Sequence, residues 1–143
     1  MTIFRTRGFD SLIGKGSSIQ GDLIIEQNST FQVDGIVRAS HINEITNPAL
    51  ERKKNETTLR VNGLVCGGDG VPEAGGLLIE VANVIVSGAI HCSKLTVEGT
   101  LAVKAGATLN ADEIYYRDLV IETGAIVHGQ MFHLDHMQPA VAE

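Results

Sequence analysis

Residues 84–101 read VIVSGAIHCSKLTVEGTL, residues 102–119 read AVKAGATLNADEIYYRDL and residues 120–137 read VIETGAIVHGQMFHLDHM. Set one beneath another, the three windows carry Gly-Ala at the same two places: Gly88-Ala89, Gly106-Ala107 and Gly124-Ala125, evenly spaced along the chain. Between these corners apolar residues alternate with polar ones, as in Val84/Val86 and Leu95/Val97/Leu101. Alternation at period two marks a strand with one buried and one wet face. A corner roughly every six residues leaves the strands too short for ordinary hairpins. Three short strands per turn predict instead an all-β, triangular β-solenoid, whose coils stack through parallel ladders about 4.8 Å apart.

The same grammar extends upstream. Ile13-Gly-Lys-Gly16-Ser-Ser-Ile19-Gln-Gly21 and Ile25-Glu-Gln-Asn28-Ser-Thr-Phe31-Gln-Val33 place Gly or Asn at a corner, between apolar residues. Gly and Asn adopt positive φ at least cost, which a tight corner needs. Composition agrees: with no Trp and 4% aromatics against 43% hydrophobic residues, the apolar mass is Val, Ile, Leu and Ala, which fit a narrow lumen. A β-sandwich of short strands shares the alternation, but gives no reason for Gly-Ala to return at so regular a step.

Two stretches interrupt the pattern. Residues 40–58 are polar, with Pro48 and the run Arg52-Lys53-Lys54; residues 66–76 are Gly-rich, with Pro72. Corner insertions project outward and leave a stack intact. The expected organisation is a tail over 1–12, a solenoid over 13–137 with loops at about 40–58 and 66–76, and a tail over 138–143. Without the loops the solenoid holds roughly five coils.

The charge of −6 gives no general attraction to nucleic acid. No apolar run reaches the roughly 18 residues of a membrane-spanning helix, and no signal-peptide core opens the chain. The reading is a cytoplasmic protein in which Cys66 and Cys92 stay reduced and idle.

The opening Leu12-Ile-Gly-Lys-Gly-Ser-Ser-Ile-Gln-Gly-Asp-Leu23, Phe31-Gln-Val-Asp-Gly35 and the closing Ile121-Glu-Thr-Gly-Ala125 resemble the bactofilins, bacterial polymer-forming cytoskeletal proteins. The resemblance implies a right-handed parallel β-helix with short flexible tails. It also implies end-to-end assembly into non-polar filaments without nucleotide or cofactor, often at the inner membrane through the N-terminal tail. The implied partners are further copies of the chain, inner-membrane lipid and cell-wall or envelope proteins, with no nucleic acid. The two inserted stretches depart from the family's compact pattern.

Physical chemistry leads to the same assembly. An uncapped solenoid end leaves unpaired backbone groups and an open apolar lumen, and stacking of copies covers both. The expected C-terminal contact is Met131, Phe132, Leu134 and Met137; the N-terminal contact is Leu12, Ile13, Ile19 and Leu23. Ile3, Phe4 and Phe9 alternate with Arg5 and Arg7, which suits an anionic membrane surface. All three sets have bland readings as well, as the chain's own core or as a solvated tail.

The rival class is a left-handed β-helix enzyme, a trimeric acyltransferase or carbonic-anhydrase-like metalloprotein that holds zinc between histidines of adjacent coils. His91, His128, His133 and His136 are the available imidazoles, but a strict six-residue register sends His91 and His128 to opposite faces of the wall. Gly8 to Gly16 misses the phosphate-loop pattern: five residues separate its glycines, and Gly16 follows Lys15 where Ser or Thr is needed. No catalytic, metal or cofactor residue is assigned.

Overall fold

The computed structural model describes residues 11–26, 28–44, 56–67 and 76–134. Their strands form one 13-stranded sheet in which every pairing is parallel. The sheet winds as a parallel β-helix with three strand segments per rung. The first rung is β1 (Ser11–Ile13), β2 (Ser18–Gln20) and β3 (Leu23–Ile25). The second is β4 (Thr30–Val33), β5 (Ile36–Ala39) and β6 (His41–Glu44), and the third is β7 (Thr58–Val61), β8 (Leu64–Gly67) and β9 (Leu78–Val81). β10 (Asn83–Val86) opens the fourth. From there β11 (Ala89–Val103), β12 (Thr108–Ile121) and β13 (Ile126–His133) each continue around a corner.

The register resolves six rungs rather than the five expected. Ile13, Val33, Val61, Val86, Val103 and Ile121 pair in one unbroken inward ladder on the first wall. Ile19, Val37, Val65, Ile90, Leu109 and Val127 do so on the second. Leu23, Ile42, Ile79, Leu95, Ile114 and Met131 do so on the third. The middle members of all three ladders are fully buried, and each such side chain contributes about 1.5–3 kcal/mol of burial. No aromatic ring belongs to the buried core of the described residues, as the narrow lumen requires.

Strands reach further than the sequence reading allowed. β1 takes in Ser11 and Leu12, β6 lies inside the stretch expected as a loop, and β8 includes Cys66 and Gly67. Polar His41 and Asn43 hid β6, because an outward strand position accepts any residue that water will solvate. Residues 45–55, between β6 and β7 in the chain, and 68–75, between β8 and β9, lie outside the described residues.

The corners come in two kinds. Ser17, Ser29, Ala107 and Ala125 each donate a backbone N–H three residues back, to Gly14, Glu26, Lys104 and Glu122. The residue before the donor is left-handed: Gly16 (φ 89°), Asn28 (φ 67°), Gly106 (φ 83°) and Gly124 (φ 96°). The other kind is tighter. Gly35, Gly63 and Gly88 each donate, with the preceding residue, to a single carbonyl one rung below. A Cβ on any of the three would stand 2.0–2.1 Å from a carbonyl oxygen beneath it. These glycines answer a steric demand rather than a torsional one.

Candidate assembly surfaces

The two ends of the β-helix differ from its middle in backbone pairing and in surface chemistry. Among the described residues β1, β2 and β3 pair only with the second rung, and the sixth rung pairs only with the fifth. Each end therefore offers three strand edges whose outer N–H and C=O groups have no ladder partner among the described residues, a template for pairing with another chain.

Exposed large apolar side chains gather at the same ends. Leu12 and Ile24 (64% exposed) lie on the first rung, while Val120, Ile121 and Ile126 lie on the sixth. Leu78 is the one such side chain on a middle rung among the described residues. Ile121 belongs to an inward ladder yet is 44% exposed, whereas Val103 beneath it is fully covered. Ile121 thus leaves part of the inward face exposed at the C-terminal rung.

The residues expected at the contacts fall on both sides of the wall. Ile13, Ile19 and Leu23 head the three inward ladders, and Met131 ends the third. Leu12 points outward, in line with Gln32, Arg60, Ile85, Ala102 and Val120. Phe132 also points outward. Its ring stacks on Tyr115 one rung below, with centroids 5.0 Å apart and planes 20° apart, and Lys94 Nζ sits 5.0 Å from the centre of the Tyr115 ring. Tyr115 donates its hydroxyl to Glu113 Oε1 at 2.9 Å, and that bond to a carboxylate raises the Tyr115 pKa. Leu134 follows β13 directly and is half-buried. Met137 and the tail set Ile3, Phe4, Arg5, Arg7 and Phe9 lie outside the described residues.

Sequence reasoning missed Ile121 and Val127, which complete the C-terminal inward ring with Met131. The signal was present, since each sits one full repeat beyond an inward residue, Val103 and Leu109.

The histidine register needs correction. Ala89 pairs Thr108, one position further along the chain than the Gly-Ala repeat predicts, whereas Thr108 pairs Ile126 at the repeat's own step. These steps bring His91, Asn110 and His128 into one outward ladder, not onto opposite faces. Asn110 separates the two imidazoles, and among the described residues no group of three or more His, Cys, Asp or Glu side chains is placed to hold a metal. Cys66 and Cys92 are buried and not in a disulfide. Burial, reinforced by Asp112, pushes the Cys92 thiol up to about 12, far from a reactive thiolate.

The three outer walls differ in charge. The first carries Asp118, and the third carries Glu80 and Glu113. The second holds two rows at outward register positions: Ser18, Ile36, Leu64, Ala89, Thr108 and Ile126, then Gln20, Arg38 and the buried Cys66 on the lower rungs with His91, Asn110 and His128 on the upper ones. Neither contains a carboxylate.

No family profile matches the chain, and no curated protein sequence matches it significantly. A solved structure does. Over 87% of this chain and 99% of the other, the fold is similar to that of Thermus thermophilus bactofilin, seen by cryo-EM in double helical filaments, with a TM-score of 0.52 and 16% identity. The chain has a bactofilin-like fold.

Proposed function

We propose that this chain is the subunit of a cytoskeletal scaffold that assembles end to end, without nucleotide or cofactor, and is not an enzyme. One observation carries the reading: among the described residues, unpaired strand edges and exposed apolar side chains coincide at both ends of the β-helix. Stacking a second copy on either end extends the ladders and closes the lumen. The apolar ring Ile13, Ile19 and Leu23 meets a partner at one end, and Ile121, Val127 and Met131 meet one at the other. Phe132 and Leu12, on the outer rims, extend the contact beyond the lumen, and Leu134 and Met137 belong to the same C-terminal surface. The filaments formed by the structurally similar bactofilin support this use of the fold.

Within this reading the filament lies at the inner membrane and organises envelope or cell-shape factors. The alternating apolar and basic residues Ile3, Phe4, Arg5, Arg7 and Phe9 make weak contacts that the polymer multiplies by avidity.

Sedimentation of purified protein in nucleotide-free buffer tests the proposal. Pelleting above a critical concentration is the expected result. A discrete trimer with one tightly held zinc per chain would establish the rival enzyme class instead.

A further inference from the structure

We propose that His133 makes end-to-end assembly sensitive to pH, holding filaments together while its imidazole is neutral and releasing them once it is charged. The inference rests on the filament reading and adds the regulation of its C-terminal contact. The third wall carries two inward columns. One includes Ile79, Leu95, Ile114 and Met131; the other includes Val81, Val97, Tyr116 and His133. Val81 and Val97 are buried and Tyr116 packs against the core, so position 133 has the same inward parity. The His133 ring meets Tyr116 in a T-shaped contact, with centroids 5.3 Å apart and planes at 78°, and is half-buried in the single chain. Its companions in the inward ladders of the sixth rung are Leu119, Ile121, Val127 and Met131. The first rung offers Ile13, Ile19, Leu23 and Ile25. Among the described residues His133 is therefore the one titratable side chain at an inward ladder position on either end.

The charged groups around it are turned elsewhere. On β12, the strand paired to β13, Glu113 faces outward and accepts the Tyr115 hydroxyl, Arg117 donates to the Glu98 carbonyl, and Asp112 and Asp118 are exposed. On the sixth rung His128 is outward and exposed, and Glu122 pairs with Lys104 at 3.3 Å. At the opposite end Glu26, next to Ile25, is exposed. Asp135 and His136 lie outside the described residues.

Tyr116 lies beneath the imidazole in the free and in the assembled chain, so its attraction for a cation cancels. What a stacked copy removes is the water above the ring. A charge there meets an aliphatic surface, and burying a charge without a counterion is costly. A copy that stacks by its own C-terminal end brings a second imidazole, which adds repulsion. The assembled state thus holds fewer protons than the free subunit. The contact is complete above the range where a free histidine titrates, near about pH 6.5, and weakens as pH falls through it.

The test is the critical concentration for pelleting of the full-length chain at about pH 7.5 and about pH 5.5, one unit either side of a free histidine's midpoint. Ionic strength is held fixed, and circular dichroism is read at both. The critical concentration is expected to rise about ten-fold at the lower pH per imidazole in the contact, following the neutral fraction of a free histidine. His133→Gln and His133→Phe gain no proton in this range and are expected to lose the rise. His128→Gln, and a chain carrying Asp135→Asn with His136→Gln, are expected to keep it. Absence of pelleting at the higher pH removes the filament reading and this inference with it. Equal pelleting at both removes the inference alone, as does a response that survives in both His133 variants or is lost in either control. Loss of the β-sheet signal at the lower pH would assign the release to unfolding and overturn the proposal. It is overturned equally if neither His133 variant pellets at the higher pH, which would make the imidazole a required contact rather than a titrating one.

Discussion

A Cβ placed on Gly63 would stand 2.0 Å from the carbonyl oxygen of Gly35, one rung below it. Contacts under 3.0 Å leave backbone no room to yield cheaply, so a methyl group there must push two rungs apart. Gly63→Ala is expected to destabilise the fold by roughly 2–4 kcal/mol. Gly14 meets nothing within 4 Å and is not left-handed, so Gly14→Ala is expected to stay within about 0.5 kcal/mol. Denaturant unfolding of the two variants checks the pair; equal stability would remove the steric account of the tight corners.

Thr57 is the buried polar residue of the described core. Its Oγ1 accepts the Asn28 backbone N–H at 2.7 Å, and Asn28 Oδ1 in turn accepts the Glu56 N–H at 2.7 Å. This exchange holds a left-handed corner against the rung above. Thr57→Val keeps the shape and strands the Asn28 N–H, at an expected cost of about 1–3 kcal/mol. A thermal shift smaller than experimental error would show that water replaces the hydroxyl.

Cys92 is expected to resist thiol reagents in the folded protein at neutral pH, because burial holds its pKa near 12. The folded state then keeps a proton that the unfolded chain, with an ordinary value of 9.0, releases. Stability from this group is complete below about pH 9 and declines as pH rises toward 12. Labelling that tracks global unfolding by denaturant checks the burial; fast native-state labelling would contradict it.

Ile121→Arg and Phe132→Arg probe the C-terminal rim from inside and outside the lumen. Ile121 is already 44% exposed in the single chain, so a charge there spares the monomer and meets the partner's lumen. Both variants are expected to yield short soluble oligomers with unchanged β-sheet circular dichroism. If only Ile121→Arg does so, Phe132 serves the Tyr115 stack of its own chain rather than the contact.

The three Gly-Ala pairs made the solenoid legible, yet they conceal two different corners. Gly106 and Gly124 are glycine because their φ is positive. Gly88 is glycine because a Cβ would meet the Gly63 carbonyl oxygen at 2.1 Å. In register Gly88 precedes a pair whose upper member is Thr108, so it aligns with Ala107 and not with Gly106. The coincidence hid a rung one position longer than the repeat, and that single slip carried His91 to the opposite face in the sequence reading. Irregularities at Val97/Thr100 and Asn110/Glu113 change the step again. Such slips depend on how corners pack between rungs, which a linear period does not encode. Ile13, Ile19, Leu23 and Met131 were legible as end residues because they obey the alternation. The outward turn of Phe132 was not, since alternation alone does not say which parity faces the lumen in a rung entered through an irregular corner.

Electron microscopy of the purified chain in nucleotide-free buffer tests the central claim most directly. Six rungs at about 4.8 Å each correspond to an axial length of about 29 Å per stacked subunit. The account expects unbranched filaments with that subunit spacing. Discrete particles of one or three chains, at concentrations well above those needed to saturate a weak contact, would contradict it.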